Sequence, residues 1–196
     1  MKLDQANKDR KFTVRVLKDF SEGLFKLLET KPLENITVGE LCNVCNYPRS
    51  TFYNYFEDIY VLMEYCWQRI YEELEVGNFA DIDHTRRTRV LFGMVYDFMD
   101  ENRKRINKLL KHNPVDGAMV LSLNRFIRTS IREMILLCPA GNKYPVPFPM
   151  IAEHYGNTIQ MVLTYCITED RKVTKEEALA QIEFLLGTLE KENTGK

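Results

Sequence analysis

Apolar residues recur along this chain at intervals of three and four, and no run alternates apolar with polar positions as a half-buried strand would. From about Lys8 to Glu29, Val16, Leu17, Phe20, Leu24, Leu27 and Leu28 make one stripe, which predicts a long first helix ending before Pro32. Two short helices should follow over residues 37–56, and a fourth over 58–76, capped by Asp58 and carrying Leu62, Cys66, Arg69 and Ile70. Gly77 to Asp83 is short and polar and reads as a linker. Beyond it, Leu-, Ile-, Phe- and Met-rich periods predict helices over about 85–101, 103–112 and 116–137. Cys138 to Pro149 holds four of the seven prolines and reads as a loop. Two final helices are expected, over about 150–168 and from 174 to about 189, the second announced by Thr174 and Glu177 at capping-box spacing.

The two short helices carry the most chemistry. Thr37 is placed to cap the first with its hydroxyl, and Val38, Leu41 and Cys42 then fall on one face. Asn46 sits at the expected turn and tolerates a left-handed backbone. Pro48 suits a helix start, because its missing N–H would have no partner in the first turn. In the helix from Arg49 to about Phe56, Phe52, Tyr55 and Phe56 share an inward face, while Arg49, Ser50, Tyr53 and Asn54 lie on the opposite side. A major groove admits one α-helix, and an arginine near its start can bridge guanine O6 and N7, so Arg49 is the candidate base reader.

At these residues the chain resembles the TetR/AcrR family of transcriptional regulators. The family's Leu-Phe, Gly, Thr-Thr-Val, Ile-Ala, Ala-Gly-Val and Thr-Leu-Tyr-x-His/Tyr-Phe pattern has counterparts here with its spacing kept. They are Leu27-Leu28, Pro32, Ile36-Thr37-Val38, Leu41-Cys42, Cys45-Asn46-Tyr47 and Thr51-Phe52-Tyr53-Asn54-Tyr55-Phe56, and the match spans about residues 12 to 70. The resemblance implies an all-α fold of about nine helices. A three-helix helix-turn-helix DNA-binding domain over 1–57 would precede a helical effector-binding and dimerisation domain over 58–196, with helix 58–76 as connector. It implies a DNA-binding set of Thr37, Pro48, Arg49, Ser50, Thr51, Tyr53 and Asn54, in which Thr37, Thr51 and Tyr53 touch phosphates. Pro32 and Asn46 stand at two customary glycines. Ile59 stands where the family usually has a lysine on the DNA backbone, with Glu57 and Asp58 just before it.

Charge adjusts this picture. Over residues 1–70, ten Lys plus Arg balance ten Asp plus Glu, so few basic contacts are available and a shallow salt dependence of DNA binding is expected. Lys8, Arg10, Lys11 and Arg15 gather at the start of the first helix, where an N-terminal arm can track the backbone or minor groove. The whole chain has 196 residues, 45% of them hydrophobic, a net charge of −1 and a pI of about 6.3, which excludes a general polyanion coat. No apolar run nears the ~18 residues needed to span a bilayer, and no signal segment opens the chain, so the expected location is cytoplasmic.

Five cysteines (42, 45, 66, 138 and 166), an odd number in a chain without an export signal, read as reduced and packed thiols. Cys42 and Cys45 lack the second ligand pair that a structural zinc site needs, so no metal and no other cofactor is expected. No phosphate-binding glycine loop, nucleophile elbow or His-Glu-x-x-His occurs, and Glu72-Glu73, Asp81/Asp83 and Glu176-Glu177 read as solvated charge, so the chain is not expected to be an enzyme.

The C-terminal region offers large apolar side chains and polar groups for a pocket: Trp67, Tyr71, Met94, Phe98, Phe126, Met134, His154 and Tyr155. The same residues at helical spacing also suit a plain core. The resemblance implies a small-molecule effector there that tilts the connector helix, and a homodimer through the last two helices. Their apolar faces are Met150, Ile151, Tyr155, Ile159, Val162, Leu163 and Cys166, then Ala178, Ile182, Leu185, Leu186 and Leu189. A two-fold dimer sets its reading helices about one DNA turn, ~34 Å, or a multiple apart, so a roughly palindromic double-stranded operator is expected. The expected function is that of a repressor. The alternative is a protein-interaction module or coactivator with weak or no DNA binding of its own.

Overall fold

The computed structural model describes residues 11–75, 82, 86–136, 146–169 and 172–191. Among these residues the chain is all α, with nine α-helices, one 3-10 turn and no strand. In chain order they are α1 (Lys11–Leu28), the 3-10 turn (Leu33–Asn35), α2 (Val38–Cys45), α3 (Arg49–Tyr53), α4 (Ile59–Glu73) and α5 (Arg87–Glu101). Then come α6 (Arg103–Leu110), α7 (Ala118–Leu136), α8 (Phe148–Thr168) and α9 (Lys175–Lys191). Lys8 and Arg10, Cys138, and all of the expected linker except Ile82 lie outside the described residues.

The chain divides into two compact units. The first comprises Met1–Glu73 and Arg103–Leu123, the second Leu74–Asn102 and Asn124–Lys196. The helix-turn-helix segment and the connector helix therefore share a unit, which also takes in α6 and the first turns of α7.

The first unit is built on the stripe of α1. Val16, Leu17, Phe20, Leu24, Leu27 and Leu28 are all buried. Phe20 meets Phe52 edge-on at 5.4 Å between ring centres, and Phe56 meets Tyr65 at 5.6 Å. The edge-to-face geometry of the first pair adds to what area burial alone contributes. Trp67 donates from Nε1 to Ser122 Oγ at 3.1 Å and lies edge-on to Phe25. Asn113, 1% exposed, ties the unit together: its Oδ1 accepts from Leu33 N at 2.9 Å, and its Nδ2 donates to Leu28 O at 3.0 Å and Leu109 O at 3.1 Å. It closes the end of α1 and the turn after it, where backbone groups have no helical partner.

The basic residues of α6 are partly engaged. Arg105 and Lys108 both reach Glu29, at 3.3 and 3.0 Å. The hydrogen bond from Lys108 leads the causes that hold the Glu29 carboxyl below its ordinary value.

In the second unit, α8 and α9 pack on one another and α9 also on α5. Ile151, Val162, Leu163 and Cys166 of α8 and Ala178, Leu179, Ile182 and Leu186 of α9 are buried within the chain. The faces expected to be shared with a second chain are thus largely used internally. The apolar side chains left exposed are Met150, Met161 and Tyr165 on α8 and Phe184 on α9. The capping box forms as expected: Thr174 Oγ1 accepts from Glu177 N at 3.2 Å and Glu177 Oε2 accepts from Thr174 N at 2.9 Å.

Helix ends depart from expectation where chain reversal or proline decides them. α3 ends at Tyr53 rather than near Phe56, because the chain turns there and brings Phe56 fully into the core. The connector stops at Glu73, and Glu75 follows with φ 53°. α8 starts at Phe148, inside the expected loop, since Pro149 falls in the first turn where no backbone N–H is needed.

The described cysteines, 42, 45, 66 and 166, are free thiols, as expected. Burial pushes the Cys66 thiol up to about 12 and the Cys45 thiol up to about 11, from an ordinary 9.0. Raised folded values mean that the neutral thiol is favoured by folding. Their contribution to stability is complete below pH 9.0 and is lost as pH rises toward 11 and 12. Stability measured by urea titration is therefore expected to be flat with respect to these thiols to about pH 9 and to fall above it. Replacing Cys66 and Cys45 together by alanine should flatten that alkaline slope, and an unchanged slope would reject the assignment.

Candidate nucleic-acid interface

Local chemistry shapes the α2–α3 pair. Thr37 Oγ1 accepts from Glu40 N at 3.2 Å, capping α2. Asn46 then adopts the left-handed conformation, φ 57° and ψ 43°, while Tyr47 N donates back to Cys42 O at 3.0 Å, closing the end of α2. Pro48, at φ −68°, leads directly into α3. Asp58 Oδ1 accepts from Val61 N at 2.9 Å and starts α4.

The turn is anchored to α1 from outside the core. Tyr47 Oη donates to Asp19 Oδ2 at 2.7 Å, and the Cys45 thiol donates to Asp19 O at 3.2 Å. The bond to Asp19 is the largest cause raising the Tyr47 phenol above its ordinary value, since the donating proton is held by the carboxylate. Beside α2, Lys31 Nζ meets Glu40 Oε1 at 2.7 Å, both side chains partly buried.

On this frame α3 is two-sided. Phe52 and Phe56 are fully buried, whereas Pro48, Arg49, Ser50, Tyr53 and Asn54 are exposed and Thr51 is half-buried. Tyr53 is 47% exposed, its ring held edge-on by Phe52 at 5.5 Å. Thr37 is exposed at the start of α2. All seven residues named from sequence therefore lie in the first unit, six on α3 or at its two ends and Thr37 at the start of α2.

Two features of this surface escaped the sequence reading. Ile59 is buried, only 5% exposed, so the position at which the family's lysine was expected serves the core here, and Tyr60, its neighbour, is exposed instead. The second is Gly39. A Cβ there would stand 2.2 Å from Arg49 Nη2 and 2.9 Å from Arg49 Cζ, so the guanidinium lies directly over the bare Cα of α2. The only sequence signal was a glycine inside a short helix, where it costs about 1 kcal/mol relative to alanine. Gly39→Ala is expected to leave thermal stability equal or slightly higher, because the displaced atoms are the far end of a flexible side chain. It should change DNA affinity through Arg49, and a melting curve beside an anisotropy titration separates the two effects.

Of the residues named for an effector pocket, Trp67 (buried) and Tyr71 (half-buried) belong to the first unit. Met94, Phe98, Phe126, Met134 and Tyr155 are half-buried in the second unit, and His154 is exposed there. The second unit also contains a cavity of about 460 Å³ lined by Arg125, Arg128, Thr129, Arg132, Glu133 and Glu153. Among the described residues no cluster of His, Cys, Asp and Glu suits a metal ion, and no helix is long and apolar enough to cross a membrane.

No family model matches the sequence, and no curated protein matches it. Solved structures do share its fold. The fatty acid degradation regulator FadR from Bacillus halodurans aligns with a TM-score of 0.62 at 12% identity, over 88% of this chain and 98% of its own. The dihydroxyacetone kinase operon activator DhaS aligns with a TM-score of 0.55 at 16% identity, over 90% of this chain and 97% of its own. The chain therefore has the fold of these two regulators along nearly their whole length.

Proposed function

We propose that this chain is a DNA-binding transcriptional regulator of the TetR type, a homodimeric repressor whose hold on a roughly palindromic operator is controlled by a small molecule. The observation that carries the reading is α3, a short helix opened by Pro48 with a buried aromatic side and an exposed edge of Arg49, Ser50, Tyr53 and Asn54. Arg49 reads guanine, Ser50, Tyr53 and Asn54 orient the helix, and Thr37 and Thr51 hold phosphates. That two proteins of the same fold are named as regulators supports it.

Dimerisation is assigned to the exposed apolar side chains Met150, Met161 and Tyr165, which lie on one stripe of α8, together with Phe184 of α9. A face repeated on two copies gives an isologous contact and hence a two-fold operator. An effector must bind one spacing of the reading helices better than the other, since equal affinity shifts nothing. The location assigned is cytoplasmic, where the DNA is.

Selection of fragments from the organism's own genome by the purified protein at low salt tests the proposal. A recovered sequence with two inverted half-sites is expected. Recovery of no motif, or of one without symmetry, would overturn it.

A second reading is favoured by the neutral charge of residues 1–70 and by the burial of Ile59, which leaves one fewer cation for phosphate. In that reading the protein grips a partner protein through its helical body. A stoichiometric partner in a pull-down, together with no operator recovered, would select it.

A further inference from the structure

We propose that the groove between α7 and α8 is a binding site for a small phosphate ester carrying hydroxyl groups. Arg125, Arg128, Thr129 and Arg132 occupy positions i, i+3, i+4 and i+7 of α7, one face of the helix, and all line the cavity of about 460 Å³. At 1.5 Å of rise per residue, Arg125 and Arg132 start roughly 10 Å apart, enough to flank a molecule of sugar-phosphate or nucleotide size. That volume also falls in the range of small-molecule sites.

The three guanidiniums have no anionic partner among the described residues. Among the described residues, Arg89, Lys172 and Lys175 of the same unit each pair with an acid on another segment, Glu183, Asp100 and Asp97 respectively. Arg125, Arg128 and Arg132 make no ion pair, although Glu133 and Glu153 line the same cavity. Like charges three and four residues apart oppose one another on a helix, and three guanidiniums against the two carboxylates of Glu133 and Glu153 leave that repulsion only partly offset. An incoming phosphoryl group would offset it, and the planar guanidinium fork fits phosphate oxygens with two parallel hydrogen bonds.

The backbone completes the site. Gly156 of α8 lies against Arg128, where a Cβ would sit 3.7 Å from Arg128 Cα, so the two helices meet there, and α8 contributes Glu153 to the cavity lining. Glu133 and Glu153 supply acceptors for hydroxyl donors and would repel a ligand made only of carboxylates or phosphates. That combination selects an ester over a bare anion. As the class of effector for a regulator, the assignment rests on the function proposed above; as a ligand site it stands apart from it.

Isothermal titration of the full chain, without DNA, using ribose 5-phosphate, ribose and the variants Arg128→Gln and Arg132→Gln tests the site. Saturable binding of ribose 5-phosphate, none of ribose, and at least a tenfold loss in each variant are expected. No heat with ribose 5-phosphate, or variants that bind it as the wild type does, would overturn the proposal. Because all four side chains lining α7 are exposed, both variants should melt as the wild type does. Operator binding is measured separately, so failure of the phosphate site leaves that reading intact, and the reverse holds as well.

Discussion

Asn113→Ala is expected to lower the stability of the first unit by about 3 kcal/mol, the largest effect of any single polar substitution in it. The side chain is 1% exposed and satisfies the Leu33 N–H and the carbonyls of Leu28 and Leu109 at once. Alanine leaves the Leu33 N–H and the Leu28 carbonyl without this partner, at about 1–3 kcal/mol for each that water cannot reach, whereas the Leu109 carbonyl keeps the backbone N–H groups of His112 and Asn113. The one tryptophan, Trp67, sits in the same unit, so its fluorescence during urea unfolding reports that unit directly. Lys111→Ala, an exposed neighbour, should change the unfolding free energy by no more than about 0.5 kcal/mol. A similarly small shift for Asn113→Ala would show that the three hydrogen bonds contribute little.

Arg49→Ala should have the largest effect on DNA. Its guanidinium lies over Gly39 at the exposed edge of α3, and one arginine–guanine contact accounts for about 1–3 kcal/mol of discrimination. Two copies per operator double that, to roughly 2–6 kcal/mol, so the specific complex should weaken by at least about thirtyfold. Binding to unrelated DNA should change little, because that is set by phosphate contacts. Anisotropy titrations on the operator and on a scrambled duplex measure both. An equal loss on the two duplexes would make Arg49 a phosphate contact and remove it from base reading.

What was legible in the sequence was mostly local. The Thr37 cap, the left-handed Asn46, the Asp58 cap and the Thr174–Glu177 box each depend on residues within three positions, and each formed. The stripe of α1 was equally plain, because six apolar residues at helical spacing have one way to be buried together.

The rest depended on what the helices meet. Nothing near Asn113 indicates that it bonds residues about 80 positions earlier, and nothing near Gly39 indicates that Arg49 will lie across it. Ile59 aligned with a lysine by spacing, yet an aliphatic side chain at the start of α4 turns to the core. The apolar faces of α8 and α9 were read correctly as faces, but periodicity carries no information on whether the covering surface is another helix of the same chain or a second chain. Here α8 and α9 cover each other, and the side chains assigned to dimerisation are those left over. The arginines of α7 drew no reading from the sequence, because spacing alone does not indicate that a cavity lies beside them.

The central claim is that the exposed edge of α3 enters the major groove in two symmetric copies. Methylation interference on the selected operator tests it most directly, since dimethyl sulfate places a methyl group on guanine N7, the acceptor assigned to Arg49. The expected result is loss of wild-type binding on methylation of a guanine in each half-site, with Arg49→Ala indifferent to the same modification. Equal binding to methylated and unmethylated operator, or interference confined to adenine N3 in the minor groove, would contradict it.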